Sequence, residues 1–108
     1  MSDFQDVLDR GRAIFADGLI AGKPFADIMT DIMALGERYG CREAEDRSKT
    51  NFFVSTRHET FVDAQREVVL AGLEYLFSGK RDISSIIWQA AAMGAACGFQ
   101  STRAMQKA

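Results

Sequence analysis

Apolar residues recur along most of this chain with the spacing of amphipathic α-helices, and no stretch shows the strict alternation of a half-buried β-strand. The first helical stretch begins at Ser2, which together with Gln5 matches a capping box, and ends near Gly22. The second begins at Pro24, the only proline, and stops at Gly40. The pattern therefore predicts two helices joined by a short turn.

The second half of the chain repeats this arrangement after a longer, mostly polar connection at residues 41–50. Residues 51–55 fit either a strand or a helix, and because an isolated strand would have no partner we interpret them as leading into a third helix. Thr56 and Glu59 match a second capping box, and the helical pattern then continues to Phe77. A third helix is therefore predicted.

A fourth helix is predicted from a cap at Asp82 to Phe99, and residues 101–108 are expected to form a short tail or a frayed last turn. Two short links and one long link are typical of paired helical hairpins. The sequence thus predicts an all-α, four-helix bundle-like domain built from two antiparallel helical hairpins, with residues 1–108 as a single domain.

The fourth predicted helix has no charged residue over the 20 positions from Ile83 to Thr102 and is rich in alanine and glycine. Its serines, glutamine and glycines are costly in a bilayer, so it is predicted as a buried helix and not as a membrane span. Interior glycines cost about 1 kcal/mol each relative to alanine, and close helix packing is the usual compensation. The predicted homodimer seam is a small-residue face with one aromatic anchor, formed by Trp88, Ala91, Gly94, Ala95 and Gly98.

A charged stretch followed by two adjacent aromatic residues predicts a partner-binding surface. Mixed charges in an exposed link suit the rim of an interface, and adjacent aromatic side chains cannot both face the same side of a helix. The predicted partner-binding residues are Arg42, Glu43, Arg47, Phe52 and Phe53. A simple solvated link is the alternative.

Two predicted helix starts combine hydroxyl or basic residues with backbone N–H groups that attract anions. The candidate anion-binding residues are Thr56, Arg57, His58, Lys80 and Arg81. Ordinary capping is the alternative, and Asp82 would compete with an anion at its own helix.

Catalysis and metal binding have little support in the sequence. His58 is the only histidine, and with the two cysteines it makes three ligands, one fewer than a structural zinc site uses. A Cys41–His58 pair would have no third residue to orient it, and neither a Glu-x-x-His pair nor a phosphate-binding glycine loop is present. We therefore predict no enzymatic activity, no metal and no cofactor.

Charge favours a protein partner over nucleic acid, since the net charge is -2. The alternative is a helix-turn-helix with its turn near Gly94 to Gly98 and with Arg103, Gln106 and Lys107 on a recognition helix of barely two turns. Neither a signal-peptide pattern nor a disulfide framework is present, which favours the cytoplasm.

These observations predict a non-enzymatic helical protein–protein interaction module that acts as a homo-oligomer. Small adaptors, regulators and inhibitors share this profile, including those made by phages and mobile elements. A helix-turn-helix DNA-binding regulator and a small-anion or nucleotide-binding protein are the two alternatives.

Overall fold

The computed structural model describes residues 3–46, 61–79 and 82–106. These residues form four helices and no strand, which confirms the predicted all-α fold of two helical hairpins. The helices are α1 (Phe4–Ile20), α2 (Phe25–Glu45), α3 (Phe61–Ser78) and α4 (Ile83–Gln106).

Local chemistry sets the start of α1 and the ends of α1 and α3. The Asp3 carboxylate caps α1 by accepting a hydrogen bond from the backbone N–H of Asp6 at 3.0 Å, so the predicted cap at Ser2 is wrong by one residue. Gly22 and Gly79 follow α1 and α3 with φ of 72° and 65°, a left-handed backbone that suits glycine. The predicted termination of both helices by glycine is therefore confirmed.

The helices α2 and α4 are both longer than predicted. Gly40 does not end α2, because it lies inside the helix against the backbone of Ala95 on α4. Residues 101–106 continue α4 and do not form a tail. Side chains in this last part of α4 satisfy the end of α2, where Arg103 Nε donates to the carbonyl oxygen of Ala44 at 3.0 Å.

The two hairpins meet through a central pair of parallel helices. Gly36 of α2 lies against Ala91 of α4, and Gly40 lies against Ala95 one turn further along both helices. The two helices therefore run in the same direction, with α1 and α3 packed beside them. Within the described ranges α1 and α3 do not contact each other, so each hairpin contributes one central helix and one flanking helix.

The core lies where the flanking helices cover this central pair. Its most deeply buried side chains come mainly from α2 and the first half of α4: Ile28, Met29, Ile32, Met33, Val68, Ile86 and Ile87. Every described side-chain nitrogen or oxygen that is buried has a hydrogen-bond partner. Among the described residues, no polar or charged residue belongs to this core.

Candidate interaction surfaces

Four of the five residues of the predicted dimer seam pack inside the chain. They are Ala91, Gly94, Ala95 and Gly98. A Cβ atom on Gly94 would lie 2.8 Å from the carbonyl carbon of Met33, and one on Gly98 would lie 2.9 Å from that of Glu37. The prediction that these four residues face a second copy is therefore corrected, because α2 of the same chain covers them. Trp88 differs, since 45% of its surface is exposed.

A matching pattern on α2 explains this contact. Gly36 and Gly40 are spaced four residues apart, as Gly94 and Gly98 are on α4, and each glycine faces a backbone carbonyl of the opposite helix. Glycine on both sides lets two helix backbones approach closely enough for weak Cα–H···O contacts. The presence of the same glycine spacing on α2 and α4 is therefore the feature of the sequence that could have indicated an internal contact.

The predicted partner-binding residues are divided between α2 and a part of the chain that the structure does not describe. Arg42 and Glu43 lie on the last turn of α2 and not in a connecting link, which corrects their predicted setting. Arg42 is exposed, whereas Glu43 is half-buried beside Tyr39. Burial and then the charge of Glu43 raise the pKa of Tyr39. The remaining three, Arg47, Phe52 and Phe53, lie outside the described residues.

The five candidate anion-binding residues precede α3 and α4 in the sequence. Thr56, Arg57, His58, Lys80 and Arg81 lie outside the described residues. Next to the last two, the Asp82 carboxylate accepts a hydrogen bond from the backbone N–H of Ser85 at 2.8 Å, and this bond lowers the pKa of Asp82. The predicted cap of the fourth helix is thus confirmed, and this carboxylate already occupies the N-terminus of α4.

The predicted recognition helix of a helix-turn-helix is a continuous part of α4. Arg103 donates to the carbonyl oxygens of Ala44 at 3.0 Å and Asp46 at 2.9 Å. Gln106 Nε2 also donates to the Ala44 oxygen, at 3.3 Å. These side chains therefore cap α2, and the part of the chain described here holds no separate helix for reading DNA at this position.

The structure describes both cysteines, which were candidates for metal binding or catalysis in the sequence. Among the described residues no group of three or more histidine, cysteine or acidic side chains is placed to hold a metal ion. Both cysteines are free thiols, and Cys41 Sγ donates to the carbonyl oxygen of Gly98 at 3.6 Å. Cys97 is buried, and burial raises the pKa of its thiol, which opposes formation of the nucleophilic thiolate.

Large apolar side chains are exposed at one end of the bundle. Phe25 at the start of α2 lies against Phe15 of α1 and Gly72 of α3, which places the end of α1 and the end of α3 on the same side as the starts of α2 and α4. We call this surface the apolar end, and its members are Leu19, Ile20, Leu76, Phe77 and Ile83. Ile20 is 85% exposed and Phe77 is 88% exposed.

A groove lies between α3 and the outer face of α4. Its volume is about 630 Å³, and its apolar lining includes Trp88, Ala92 and Met93. The charged residues among those described in its lining are Glu67 and Asp82, both acidic. We call it the α3–α4 groove.

None of the described helices combines the length and the hydropathy needed to cross a membrane. The fourth helix, which has no charged residue from Ile83 to Thr102, packs against α2 through Gly94 and Gly98. Comparison of the whole chain with known protein families, with curated proteins and with solved structures found no match.

Proposed function

We propose that this protein is a non-enzymatic helical interaction module that acts as a homo-oligomer and binds another protein. The observation that supports the proposal is the apolar end, where five large apolar side chains are about half to almost fully exposed. Several large apolar side chains exposed at one end of a small domain indicate an interaction site, whereas single exposed apolar residues are ordinary. A small adaptor, regulator or inhibitor would use such a surface.

The energy available at the apolar end is large enough for association. Burying a fully exposed Leu, Ile or Phe side chain gains about 1.5–3 kcal/mol. Because Leu19, Leu76 and Ile83 are already about half buried, the five side chains together contribute roughly 5–10 kcal/mol per copy. Association costs roughly 4–15 kcal/mol in lost motional freedom. Apolar contact at this surface therefore offsets a substantial part of that cost, and a two-fold arrangement would bury the same residues on both copies.

Self-association at the apolar end replaces the dimer seam predicted from the sequence. The small-residue face of α4 is covered by α2, whereas Phe77 and Ile20 are accessible without any change in the helices. The free thiols of Cys41 and Cys97 support a cytoplasmic location, where cysteines remain reduced.

The mass of the purified protein, measured by size-exclusion chromatography with light scattering over a range of concentrations, tests this proposal. We expect a dimer or higher oligomer for the native sequence and a monomer for Phe77→Lys, with unchanged helical content by circular dichroism. Met105→Lys is the matched control, because Met105 is 77% exposed but lies near the opposite end of α4. A native chain that stays monomeric at every concentration, or a Phe77→Lys oligomer of native mass, would contradict the proposal.

A further inference from the structure

We propose that a second copy of this chain packs along the outer face of α3, with the two α3 helices antiparallel. The inference rests on the proposed self-association and extends that contact from Leu76 and Phe77 of the apolar end along the rest of the helix. We call this face the α3 stripe, and its members are Val62, Arg66, Val69, Leu70, Leu73, Leu76 and Phe77.

The α3 stripe has the spacing with which two helices pair. Five of its members, from Val62 to Leu76, recur at alternating steps of four and three residues, which is a heptad pattern. The buried residues Ala64 and Val68 lie on the opposite side of α3, where they face the core. Val62 is 60% exposed and Leu70 is 61% exposed, so the stripe is a second apolar side of the helix that the core does not use.

The first hairpin provides an internal comparison, because the two hairpins have matching positions. Gly22 and Gly79, which follow α1 and α3 with positive φ, lie 57 positions apart in the chain. The same separation joins the buried residues Val7 and Ala64. Each residue of α3 therefore has a counterpart on α1, 57 positions earlier.

The central helices match in the same way. Gly36 of α2 lies against the backbone of Ala91, and Gly94 of α4 lies against the backbone of Met33. Positions 36 and 94 differ by 58, as positions 33 and 91 do, so exchanging the two helices reproduces the contact. The hairpins are thus related by an approximate two-fold axis, and α1 and α3 occupy equivalent places beside the central pair.

The counterpart of the stripe on α1 is mostly polar or small. The α1 residues that match its first five members are Gln5, Asp9, Arg12, Ala13 and Ala16. All five are exposed, and the last two counterparts, Leu19 and Ile20, belong to the apolar end. Because a flanking helix at the equivalent place carries this solvated face, the fold of one copy does not require the apolar side chains of the α3 stripe. A contact outside that fold accounts for them.

A groove lies beside the stripe, between α3 and the start of α2. Its volume is about 290 Å³, and its described lining consists of Ala26, Val62, Gln65, Arg66, Val69 and Leu70. A helix packed along α3 would place a side chain in this groove, as a knob enters a hole in a coiled coil. The groove therefore favours a helix as the occupant of this face.

The area of the α3 stripe matches what a dimer of this chain requires. A large side chain carries roughly 200 Å² of surface, so the exposed fractions of the stripe amount to about 600 Å² per copy. Two copies would bury about 1,200 Å², at the lower limit of specific, stable interfaces. A heptad face is also complementary to itself, as a two-fold contact demands. These quantities favour a second α3 as the occupant, in an equilibrium that depends on concentration.

The arginine within the stripe sets the direction of the pairing. Parallel helices would place the two Arg66 side chains opposite each other, and like charges across a contact are unfavourable. Antiparallel helices that overlap along the whole stripe, from residue 62 to residue 77, have their two-fold axis beside residues 69 and 70. The Leu70 side chains of the two copies then meet at the axis, and the two Arg66 positions are separated along it by about 10 Å.

The variant Leu70→Lys tests this contact by size-exclusion chromatography with light scattering. We expect a dimer for the native chain and a monomer of unchanged helical content for Leu70→Lys, because the contact would bury a charge at its centre. Ala13→Lys is the matched control, since Ala13 is the counterpart of Leu70 on α1 and is also exposed. This control should dimerise as the native chain does.

Cysteine crosslinking tests the antiparallel direction. A disulfide requires Cα atoms within about 7 Å of each other, so Leu70→Cys should give a covalent dimer with the thiol oxidant diamide. The two Val62 positions would lie about 22 Å apart, so Val62→Cys should give none. Non-reducing electrophoresis measures both, and the native chain with Cys41 and Cys97 measures the background.

A Leu70→Lys chain of native dimer mass, or a Leu70→Cys chain that crosslinks no more than the native chain, would overturn the inference. Equal crosslinking of Val62→Cys and Leu70→Cys would overturn the antiparallel direction. If Phe77→Lys is monomeric while Leu70→Lys remains dimeric, self-association at the apolar end stands and the contact along α3 fails alone. A native chain that is monomeric at every concentration contradicts the proposed homo-oligomer itself.

Discussion

Replacing Gly94 by alanine should drive the two central helices apart. The added Cβ would lie 2.8 Å from the carbonyl carbon of Met33 and 3.0 Å from its Cα, whereas ordinary contact begins at 3.4 Å. All of these neighbours are backbone atoms, so no side-chain rotation relieves the overlap. The carbonyl oxygen of Met33 lies nearer still, so α2 and α4 would have to separate locally by more than about 0.6 Å, which is the shortfall of the carbonyl-carbon distance alone.

The cost of that separation exceeds the gain in helix propensity. Overpacking a close contact costs about 1–3 kcal/mol, and the upper part of this range applies because the same movement loosens the contacts of Gly36, Gly40 and Gly98. Alanine inside a helix recovers about 1 kcal/mol relative to glycine. The net expectation is a loss of about 2 kcal/mol, which for a domain of this size lowers the Tm by roughly 10 °C.

Thermal unfolding followed by far-UV circular dichroism measures this loss. Gly72→Ala is the matched control, because its Cβ would meet the far end of the Phe25 ring at 2.8 Å, and a half-buried ring can turn aside. An internal contact predicts that Gly94→Ala lowers the Tm equally at low and high protein concentration, whereas an intermolecular seam predicts a loss that depends on concentration. A variant as stable as the native chain would refute the packing argument.

Three further predictions concern the helix ends and the thiols. Asp82→Ala should lower the Tm by a few degrees while Asp82→Asn keeps the cap, as thermal unfolding would show. Because the folded pKa of Asp82 lies below its ordinary 3.8, the charge-dependent part of its contribution is complete above pH 3.8 and is lost as pH falls through the folded pKa. The gap in Tm between the native chain and Asp82→Ala should therefore narrow at low pH, and a gap that stayed constant would contradict this assignment. Arg103→Ala should lower the free energy of unfolding by about 1–2 kcal/mol and speed hydrogen exchange in the last turn of α2. Arg38→Ala, at an exposed position of α2, should change neither. Cys97 should react with a thiol reagent more slowly than Cys41 in the native protein, and mass spectrometry showing equal rates would argue against its burial.

The helix count and the hairpin pairing could be predicted because they depend on local signals. Gly22 and Gly79 end helices by adopting a left-handed backbone, and Asp82 begins one by accepting an amide hydrogen bond. Each of these signals acts within a few residues of its own position.

The contact between α2 and α4 could not be predicted from either helix alone. Gly40 has the residue type of a helix stop, but it is retained inside α2 because the Ala95 backbone occupies the space beside it. Gly94 and Gly98 have the same spacing in an internal contact as they would have in a dimer seam. Periodicity identifies a close-packing face without identifying what packs on it.

The apolar end could not be predicted from the sequence for a related reason. Leu19, Leu76 and Phe77 continue the apolar pattern of their helices, and the pattern alone assigns them to the core. In the fold they lie at helix ends, beyond the side chains that would cover them. The α3–α4 groove likewise combines residues from two helices. Nothing in the sequence pattern indicates that Glu67 and Trp88 lie in the same groove.

The parallel pairing of α2 with α4 also sets how the chain can reach its native state. The closest backbone contacts join residues about 55 positions apart, as with Gly36 and Ala91, and each hairpin leaves one side of its central helix uncovered until the other arrives. Small helical bundles usually fold fast because their contacts are local, but here the two halves of the chain must come together before the glycine contacts form. Because most helix–helix contacts join the two hairpins, folding is expected to be a single cooperative event that is slow for an all-helical domain of this length.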